Sequence, residues 1–295
     1  MSNVGFIGTG IMGKPMAINL QKAGHHLYFS QHRKPVPEDL LGDNGTSCPT
    51  PKAVAEASDF IITMVPDTPH VEAVLFENEG IYEGLSIGKT VIDMSSISPI
   101  ATKQFADKVR SKGADYLDAP VSGGDIGAKA GTLTIMAGGK EDTFNKAKHL
   151  FEAMGQNITL VADTGDGQTC KACNQIIAAQ NIQAVCEALV FASKMGADPA
   201  KVRKALMGGF ASSKILEVHG ERMLKGTFDP GFRVELHQKD LNLALSAARE
   251  KHLTLPNTAT TQELLNACAA QGWSDRDHSI LIRMLELMAN HSIRE

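Results

Sequence analysis

The sequence lacks the features of an extracellular or nucleic-acid-binding protein. Cysteine is scarce and odd in number, with 5 scattered among 295 residues, which opposes a disulfide framework. Basic residues are not in excess, because 29 Lys and Arg are balanced by 33 Asp and Glu, for a formal net charge of -4. This balance provides no basic stripe for nucleic acid or for an anionic membrane surface, so we expect neither partner.

Export and membrane signals are also missing. Residues 1–10, MSNVGFIGTG, have neither a charged n-region nor a long apolar h-region, so we expect no signal peptide. We find no uninterrupted apolar run long enough to span a bilayer. The composition, 43% hydrophobic and 21% charged, is that of a globular chain with room for two domains. The expectation is a soluble cytoplasmic protein.

A glycine-rich turn lies near the N-terminus, between a predicted strand at 4–7 and a predicted helix at 14–23. It reads Gly8-Thr9-Gly10-Ile11-Met12-Gly13, with the G-x-G-x-x-G spacing of dinucleotide sites. In this spacing the glycines permit a tight turn, the approach of a diphosphate and close packing of helix on strand. The diphosphate lies on the helix N-terminus, whose N–H groups favour anions. The order strand, turn, helix predicts NAD or NADP rather than a mere glycine-rich turn.

Strands and helices alternate through the first half of the chain. Further strands are predicted at 27–30, 59–65, 90–94, 116–120, 133–139 and 158–161, with helices at 52–57, 71–76, 99–109 and 142–154. This alternation predicts a Rossmann-type, doubly wound, mostly parallel sheet, with ligands at the carboxyl ends of its strands. Val65, Pro66, Ser95 and Ser96 occupy such ends, so we expect them near the cofactor. Ordinary turn chemistry is the alternative for each.

The second strand does not end in the acid that NAD-preferring sites usually carry. Residues 30–34 read Ser-Gln-His-Arg-Lys, so no carboxylate repels a 2′-phosphate and Arg33, Lys34 or a protonated His32 could attract one. The alternative is that these are solvated loop charges and that NADH binds through its other contacts. The pattern favours NADP and leaves NAD open.

A second concentration of small residues, DAPVSGG, follows at 118–124. Ser122 offers a hydroxyl, and Gly123 and Gly124 offer backbone N–H groups with no side chain in the way. Such donors are suited to holding a carboxylate. The segment therefore predicts a small carboxylic acid as the substrate.

The second half is predicted to be all-helical and begins with an unusually long helix. No glycine or proline interrupts residues 168–195, which corresponds to roughly 42 Å of helix. Its apolar surface predicts coverage on several sides, partly by another subunit, and hence a homo-oligomer, either a dimer or a tetramer. Further helices are predicted at 199–207, 212–225, 237–251, 258–271 and 277–291. We therefore expect a dinucleotide-binding domain at 1–163 and a helical domain for substrate and oligomerisation at 164–295.

Lys171 and Asn174 lie three residues apart in the first turns of the long helix and share one face. Cys170 and Cys173 flank the lysine, but with no second pair or nearby His they are interpreted as packing residues, and no metal site is expected. With a metal or redox role of the cysteines set aside, the residues favour hydride transfer between a dinucleotide and a small oxo or hydroxy acid. Lys171 is then the proton donor. A solvated lysine at a helix start is the alternative.

Three segments resemble the signatures of the β-hydroxyacid dehydrogenases, the family that includes the 3-hydroxyisobutyrate and 6-phosphogluconate dehydrogenases. The segments are residues 4–20, 118–124 and 165–174. Further segments, at 93–99, 207–213, 230–245 and 277–279, are similar to the tartronate semialdehyde reductase branch. This resemblance implies reduction of tartronate semialdehyde to D-glycerate with NAD(P)H. The alternatives are a dehydrogenase of 3-hydroxyisobutyrate or a related C3–C4 acid and, from another class, a non-catalytic NAD(P)-binding redox sensor.

The resemblance also implies roles for single residues. Lys171 is implied as the general acid/base, Asn174 as a group that orients the substrate, and Ser122, Gly123 and Gly124 as the carboxylate-binding set. The implied cofactor contacts are Gly8, Thr9, Gly10, Ile11, Met12, Gly13, Val65, Pro66, His70, Ser96 and Lys239. The chain departs from many relatives at Gln31, where they carry Asp, and this departure leaves the choice between NAD and NADP open.

Overall fold

The computed structural model describes residues 1–30 and 35–294. The chain divides into two compact units, Met1–Lys171 and Ala172–Glu295. The division falls inside a single long helix, Asp166–Lys194. The boundary expected from the sequence, between residues 163 and 164, lies at the entrance to this helix.

The described residues of the first unit contain one nine-stranded sheet, in which β1 to β6 are mutually parallel and lie in the order β3-β2-β1-β4-β5-β6. This is the doubly wound order, with the reversal of strand order between β1 and β4. β8 runs antiparallel to β6 and β7 and parallel to β9. The predicted Rossmann-type fold is confirmed. The strands are β1 (Asn3–Ile7), β2 (His26–Ser30), β3 (Gly45–Cys48), β4 (Phe60–Thr63), β5 (Thr90–Asp93), β6 (Asp115–Asp118), β7 (Val121–Ser122), β8 (Leu133–Gly138) and β9 (Gly155–Ala162).

Helices cover both faces of this sheet. Alternate residues of the central strands enter different apolar clusters: Ile61 and Val91 lie in one, and Ile62 and Ile92 in the other. A parallel strand that is buried on both faces is apolar throughout, which is why these strands were recognisable as continuous apolar runs. The helices are α1 (Gly13–Lys22), α2 (Pro51–Ala57), α3 (Thr68–Phe76), α4 (Ile81–Gly84), α5 (Pro99–Ser111), α6 (Gly124–Ala130) and α7 (Glu141–Met154), with a 3-10 turn at Glu38–Leu40.

Several of these helices begin with a side-chain cap followed by proline. The hydroxyl of Thr50 accepts a hydrogen bond from the Ala53 N–H, and the carboxylate of Asp67 accepts one from Thr68. Ser98 caps α5 by accepting from the Ala101 N–H at 3.3 Å, as its Ser-Pro sequence predicts.

Some short elements were not predicted. β3, β7, α4 and α6 have between two and seven residues each, too few for a hydrophobic period to be visible. α6 is also rich in glycine, so the sequence pattern did not predict the helix that begins at Gly124.

In the described part of the second unit, every regular element is helical, as predicted. After the long helix, α8, the chain forms α9 (Pro199–Leu206), α10 (Lys214–Lys225), α11 (Val234–Glu250), α12 (Pro256–Ala270), a 3-10 turn (His278–Ile280) and α13 (Leu281–Ala289). The prediction of a single helix at 277–291 is wrong in detail. Asp277 accepts the Ser279 N–H at 3.1 Å and starts a separate 3-10 turn before α13.

By length and composition alone, α8 is apolar enough to cross a membrane, and 39% of its most apolar window is buried in the protein. This helix was not predicted as a membrane span from the sequence, because isolated polar residues such as Asn174 interrupt its apolar residues. A core helix of a soluble protein passes the same test, so the finding is weak evidence for a membrane.

Candidate functional site

The glycine-rich turn lies where the strand order reverses, between the carboxyl ends of β1 and β4. A Cβ on Gly13 would overlap the Gly8 carbonyl oxygen, and Gly8, with φ at +103°, packs on the Met64 carbonyl. Both glycines are therefore required by the fold itself. A Cβ on Gly10 would meet no atom within 4 Å. The room beside Gly10 is what the approach of a diphosphate to the backbone needs.

The N-terminus of α1 is left available to an anion by its neighbours. Met12, at the N-cap position, makes no side-chain cap bond, and the first turn of α1 contains no acidic residue. Thr9 is half-buried beside the turn, whereas Ile11 is 65% exposed. The N–H groups and dipole of such a helix start favour a phosphate. The residues present thus fit a dinucleotide.

The loop after β4 adds further groups at the same edge of the sheet. The Val65 N–H donates to the Ser95 hydroxyl at 3.0 Å, which ties this loop to the loop after β5. Pro66 is exposed, and α3 begins two residues later. In its first turn, His70 has a buried Nδ1 atom with no hydrogen-bond partner among the described residues. An orphaned nitrogen at this edge fits a residue that contacts a ligand.

Ser95 and Ser96 differ in their surroundings. Ser95 is fully buried, and its hydroxyl accepts the Val65 N–H, so it acts within the protein. Ser96 is half-buried. Beside them, Asp93 is fully buried and accepts hydrogen bonds from the Thr63 hydroxyl at 2.8 Å and from the Ser95 N–H at 3.1 Å. Burial raises the pKa of Asp93 to about 6 in spite of these bonds.

Asp118, at the end of β6, holds the start of α8. Its two carboxylate oxygens accept the Gly165 N–H at 2.7 Å and the Gln168 N–H at 2.8 Å. Burial raises the pKa of Asp118 to about 6, against the lowering effect of these bonds. A Cβ on Gly167 would lie 2.7 Å from the Asp118 carbonyl oxygen, so α8 packs directly on the strand end. Lys171, one turn further along, is only 8% exposed. The sequence alternative of a solvated lysine is therefore wrong.

Ser122, Gly123 and Gly124 lie at the junction of β7 and α6. Gly123 has φ at +133° and Gly124 has φ at +60°, values that only glycine adopts readily. The segment turns the chain sharply and presents consecutive backbone groups at a helix start. This geometry supports the expected binding of a carboxylate.

Asn174 and Lys239 belong to the second unit, where a chain of polar contacts links them. The Asn174 amide donates to the Gln175 side chain at 2.7 Å, and the Gln175 amide donates to Asp240 at 2.5 Å. The other oxygen of Asp240 lies 2.9 Å from the Lys239 ammonium. Gln175 and Asp240 are both buried. Two residues that the sequence singled out separately are thus linked through buried Gln175 and Asp240.

Comparisons with known proteins find matches along most of the chain. The NAD binding domain of 6-phosphogluconate dehydrogenase matches residues 3–162, and the NAD-binding region of NADP-dependent 3-hydroxyisobutyrate dehydrogenase matches residues 165–285. The 2-hydroxy-3-oxopropionate reductase of Escherichia coli (strain K12) is 63% identical over 290 residues, which are 98% of this chain and 99% of that protein.

The chain belongs to the β-hydroxyacid dehydrogenase family. It is an NAD(P)-dependent oxidoreductase. The 2-(hydroxymethyl)glutarate dehydrogenase of Eubacterium barkeri is 37% identical, over 98% of this chain and 97% of the relative. Among solved structures, the Mycobacterium tuberculosis 3-hydroxyisobutyrate dehydrogenase with L-serine superposes with a TM-score of 0.87 at 30% identity, over 97% and 99% of the two chains.

Three residues of this dehydrogenase that fix the strand ends and the start of α8 by hydrogen bonds were not predicted from the sequence. Asp93, Asp118 and Gln168 were not singled out, although an acid at the end of an otherwise apolar strand is a usable signal. Gln31, where many relatives carry Asp, lies outside the described residues, as do His32, Arg33 and Lys34. Cys173 is exposed, so its interpretation as a packing residue is wrong for this chain taken alone.

One cluster in the second unit bears on the expectation that the dehydrogenase has no metal site. His219, Asp277 and His278 place ligand atoms within 4.8 Å of one another. The Arg222 guanidinium lies 3.1 Å from Asp277, however, and Asp277 also accepts the Phe232 N–H at 3.1 Å. A carboxylate already paired with a guanidinium is poorly suited to a cation. His278 lies 2.8 Å from His237 and 3.3 Å from His219, a geometry of hydrogen-bonded imidazoles.

We expect this histidine cluster to make stability depend on pH. Burial, then the neighbouring charges of His237, His219 and Arg222, lower the pKa of His278 well below 6.5, although Asp277 opposes the shift. Folding therefore excludes a proton that the unfolded chain binds below about pH 6.5. The contribution to stability is complete above that pH and is lost as the pH falls, by at most about 1.4 kcal/mol per pH unit.

The measurement is urea unfolding between pH 5 and 8 of the wild type, His278→Asn and, as control, His252→Asn at an exposed position with φ at +54°. The difference between wild type and His278→Asn should shrink with falling pH, whereas the control should follow the wild type. The buried Asp93 and Asp118 act in the opposite sense, since their stability contribution is lost as pH rises through about 6. All three proteins keep both carboxyls, so these contributions cancel when the proteins are compared at the same pH. A pH-independent difference would contradict the prediction.

Proposed function

We propose that this protein reduces 2-hydroxy-3-oxopropanoate (tartronate semialdehyde) to D-glycerate with NAD(P)H. The observation that carries the proposal is the buried Lys171, held by Asp118 and the first turn of α8 in the same unit as the glycine-rich turn. The identity of 63% to the Escherichia coli 2-hydroxy-3-oxopropionate reductase supports the choice of substrate.

A nicotinamide bound at this turn would supply the hydride for the aldehyde carbon. The Lys171 ammonium donates a proton to the aldehyde oxygen as negative charge develops there, and then regains a proton from solvent. The Ser122 hydroxyl and the backbone N–H groups of Gly123 and Gly124 bind the substrate carboxylate. Asn174 orients the substrate, and its own amide is held through Gln175.

The proposed cofactor contacts follow from the position of the glycine-rich turn, where the strand order reverses between β1 and β4. The turn from Gly8 to Gly13 binds the diphosphate through its N–H groups and the start of α1. Val65, Pro66, His70 and Ser96 contact the remainder of the dinucleotide. Lys239, with its ammonium fixed by Asp240, contributes a cation to the cofactor.

A turnover panel tests the proposal. Purified protein is assayed with tartronate semialdehyde and, in the oxidative direction, with D-glycerate, 3-hydroxyisobutyrate and 6-phosphogluconate, each with both cofactors. We expect the highest kcat/KM for tartronate semialdehyde. A higher value for 3-hydroxyisobutyrate would assign the protein to the related C3–C4 acids. Cofactor binding without turnover of any member would support a non-catalytic sensor.

We also propose that the protein is a homo-oligomer, a dimer or a tetramer, in the cytoplasm. The exposed side of α8 carries Ile177 and Phe191, and Met195 directly follows the helix. These side chains are 62%, 68% and 71% exposed in the single chain. Covering such side chains is a usual basis of subunit association. Light scattering should give at least twice the chain mass of 31.5 kDa, and Phe191→Asp should lower it. A monomer in the wild type, or recovery of the protein in the membrane fraction, would contradict the proposal.

A further inference from the structure

The side chain of Gln168 connects two parts of the site that are far apart in sequence. Its amide nitrogen donates to the Ser95 carbonyl oxygen at 2.7 Å. Its amide oxygen accepts the Ile97 N–H at 3.0 Å. These two backbone groups flank Ser96, so a single glutamine holds the backbone on both sides of a proposed cofactor contact.

Gln168 is itself held in place by Asp118. Its backbone N–H donates to the Asp118 carboxylate at 2.8 Å, and its side chain is only 1% exposed. Because the residue is buried, the loss of either partner leaves a polar group unsatisfied. The position of the glutamine is therefore fixed from both its main chain and its side chain.

Lys171 follows Gln168 by three residues on the same helix. Residues three apart lie on one face, separated by about 4.5 Å along the helix axis, and both of these are buried. Whatever fixes Gln168 relative to the Ser96 segment therefore also fixes the backbone that carries Lys171.

We propose that Gln168 is a positioning residue, which sets the distance between the proton donor Lys171 and the cofactor segment around Ser96. The inference rests on the proposed function, because it presumes that Lys171 is the proton donor. Hydride and proton transfer require the reacting groups within narrow distances, and a displacement of about 1 Å can cost about 100-fold in rate. Asp118 serves the same purpose by anchoring the first turn of α8.

The test compares Gln168→Met with Gln180→Met. Methionine keeps the length of the side chain and removes both hydrogen bonds. Gln180 is a matched control on the same helix, half-buried, with its amide donating to the Thr258 hydroxyl at 3.0 Å. We expect Gln168→Met to lower kcat per cofactor-binding site by roughly 10- to 100-fold, and Gln180→Met to leave it within about twofold.

A kinetic isotope effect separates positioning from mere loss of folded protein. With NAD(P)H deuterated at the transferred position, misplacement makes the hydride step limiting, so the isotope effect on kcat should rise in Gln168→Met. Partial unfolding lowers activity without changing the isotope effect of the remaining molecules. If Gln168→Met does not fold, Gln168→Glu keeps the acceptor for Ile97 and removes the donor to Ser95. Because its carboxylate oxygen faces the Ser95 carbonyl, this variant should also lower kcat, again with a raised isotope effect.

The same experiment includes Lys171→Ala. Retained turnover in that variant would overturn the proposed function itself. Loss of turnover in Lys171→Ala, with kcat per site and isotope effect unchanged in the folded Gln168 variants, would overturn only the positioning role. Loss in Lys171→Ala together with a raised isotope effect in a Gln168 variant supports both.

Discussion

Replacement of Lys171 by alanine is expected to lower kcat by roughly 10²- to 10⁴-fold, the usual range for the loss of a general acid or base. The lysine is 8% exposed and follows a helix start that two buried hydrogen bonds to Asp118 hold in place. Alanine has no group that can donate a proton, so the reaction loses its positioned proton donor. Steady-state assays with tartronate semialdehyde measure the effect.

Cofactor binding separates a chemical role for Lys171 from a structural one. Fluorescence titration with NADPH should give Lys171→Ala a Kd within a few-fold of the wild type, because the glycine-rich turn is unchanged. Lys194→Ala, at the exposed end of the same helix, is the control and should retain full turnover. Turnover of Lys171→Ala within tenfold of the wild type would rule out the proposed role.

Two glycines of the same turn are expected to respond to alanine in opposite ways. A Cβ on Gly13 would overlap the Gly8 carbonyl oxygen, so Gly13→Ala should destabilise the protein by about 3 kcal/mol or more. A Cβ on Gly10 meets open space, so Gly10→Ala should leave stability unchanged. The same Cβ occupies the room needed by the diphosphate and should weaken NAD(P)H binding by at least about tenfold.

Urea unfolding of the two variants without cofactor, followed by NADPH titration at a temperature where both are folded, measures this contrast. The pair serves as its own control, because the two residues lie three positions apart in one turn and undergo the same substitution. Equal destabilisation of both variants would contradict the open space beside Gly10. Unchanged cofactor affinity in Gly10→Ala would contradict the diphosphate site proposed at this turn.

The sequence predicted the architecture because its signals are local. Apolar runs such as residues 59–65 come from strands buried on both faces, and the Ser98-Pro99 start of α5 was visible as a cap followed by proline. β7 and α6 escaped because two and seven residues carry no hydrophobic period. The prediction of a single helix at 277–291 failed because the Asp277 side chain starts a separate turn.

By itself, the sequence determined the dinucleotide fold and the family, and it predicted the residues with recognisable chemistry: Gly8 to Gly13, Ser122 to Gly124, and Lys171. Only the tertiary structure decided which glycines the fold requires, because the space beside Gly10 depends on atoms distant in the chain. It also assigned Asp118 and Gln168, since their hydrogen bonds join residues separated by 47 to 73 positions. Spacing along a chain can indicate a reactive group, but the contacts that fix its position form only when the strands and helices pack.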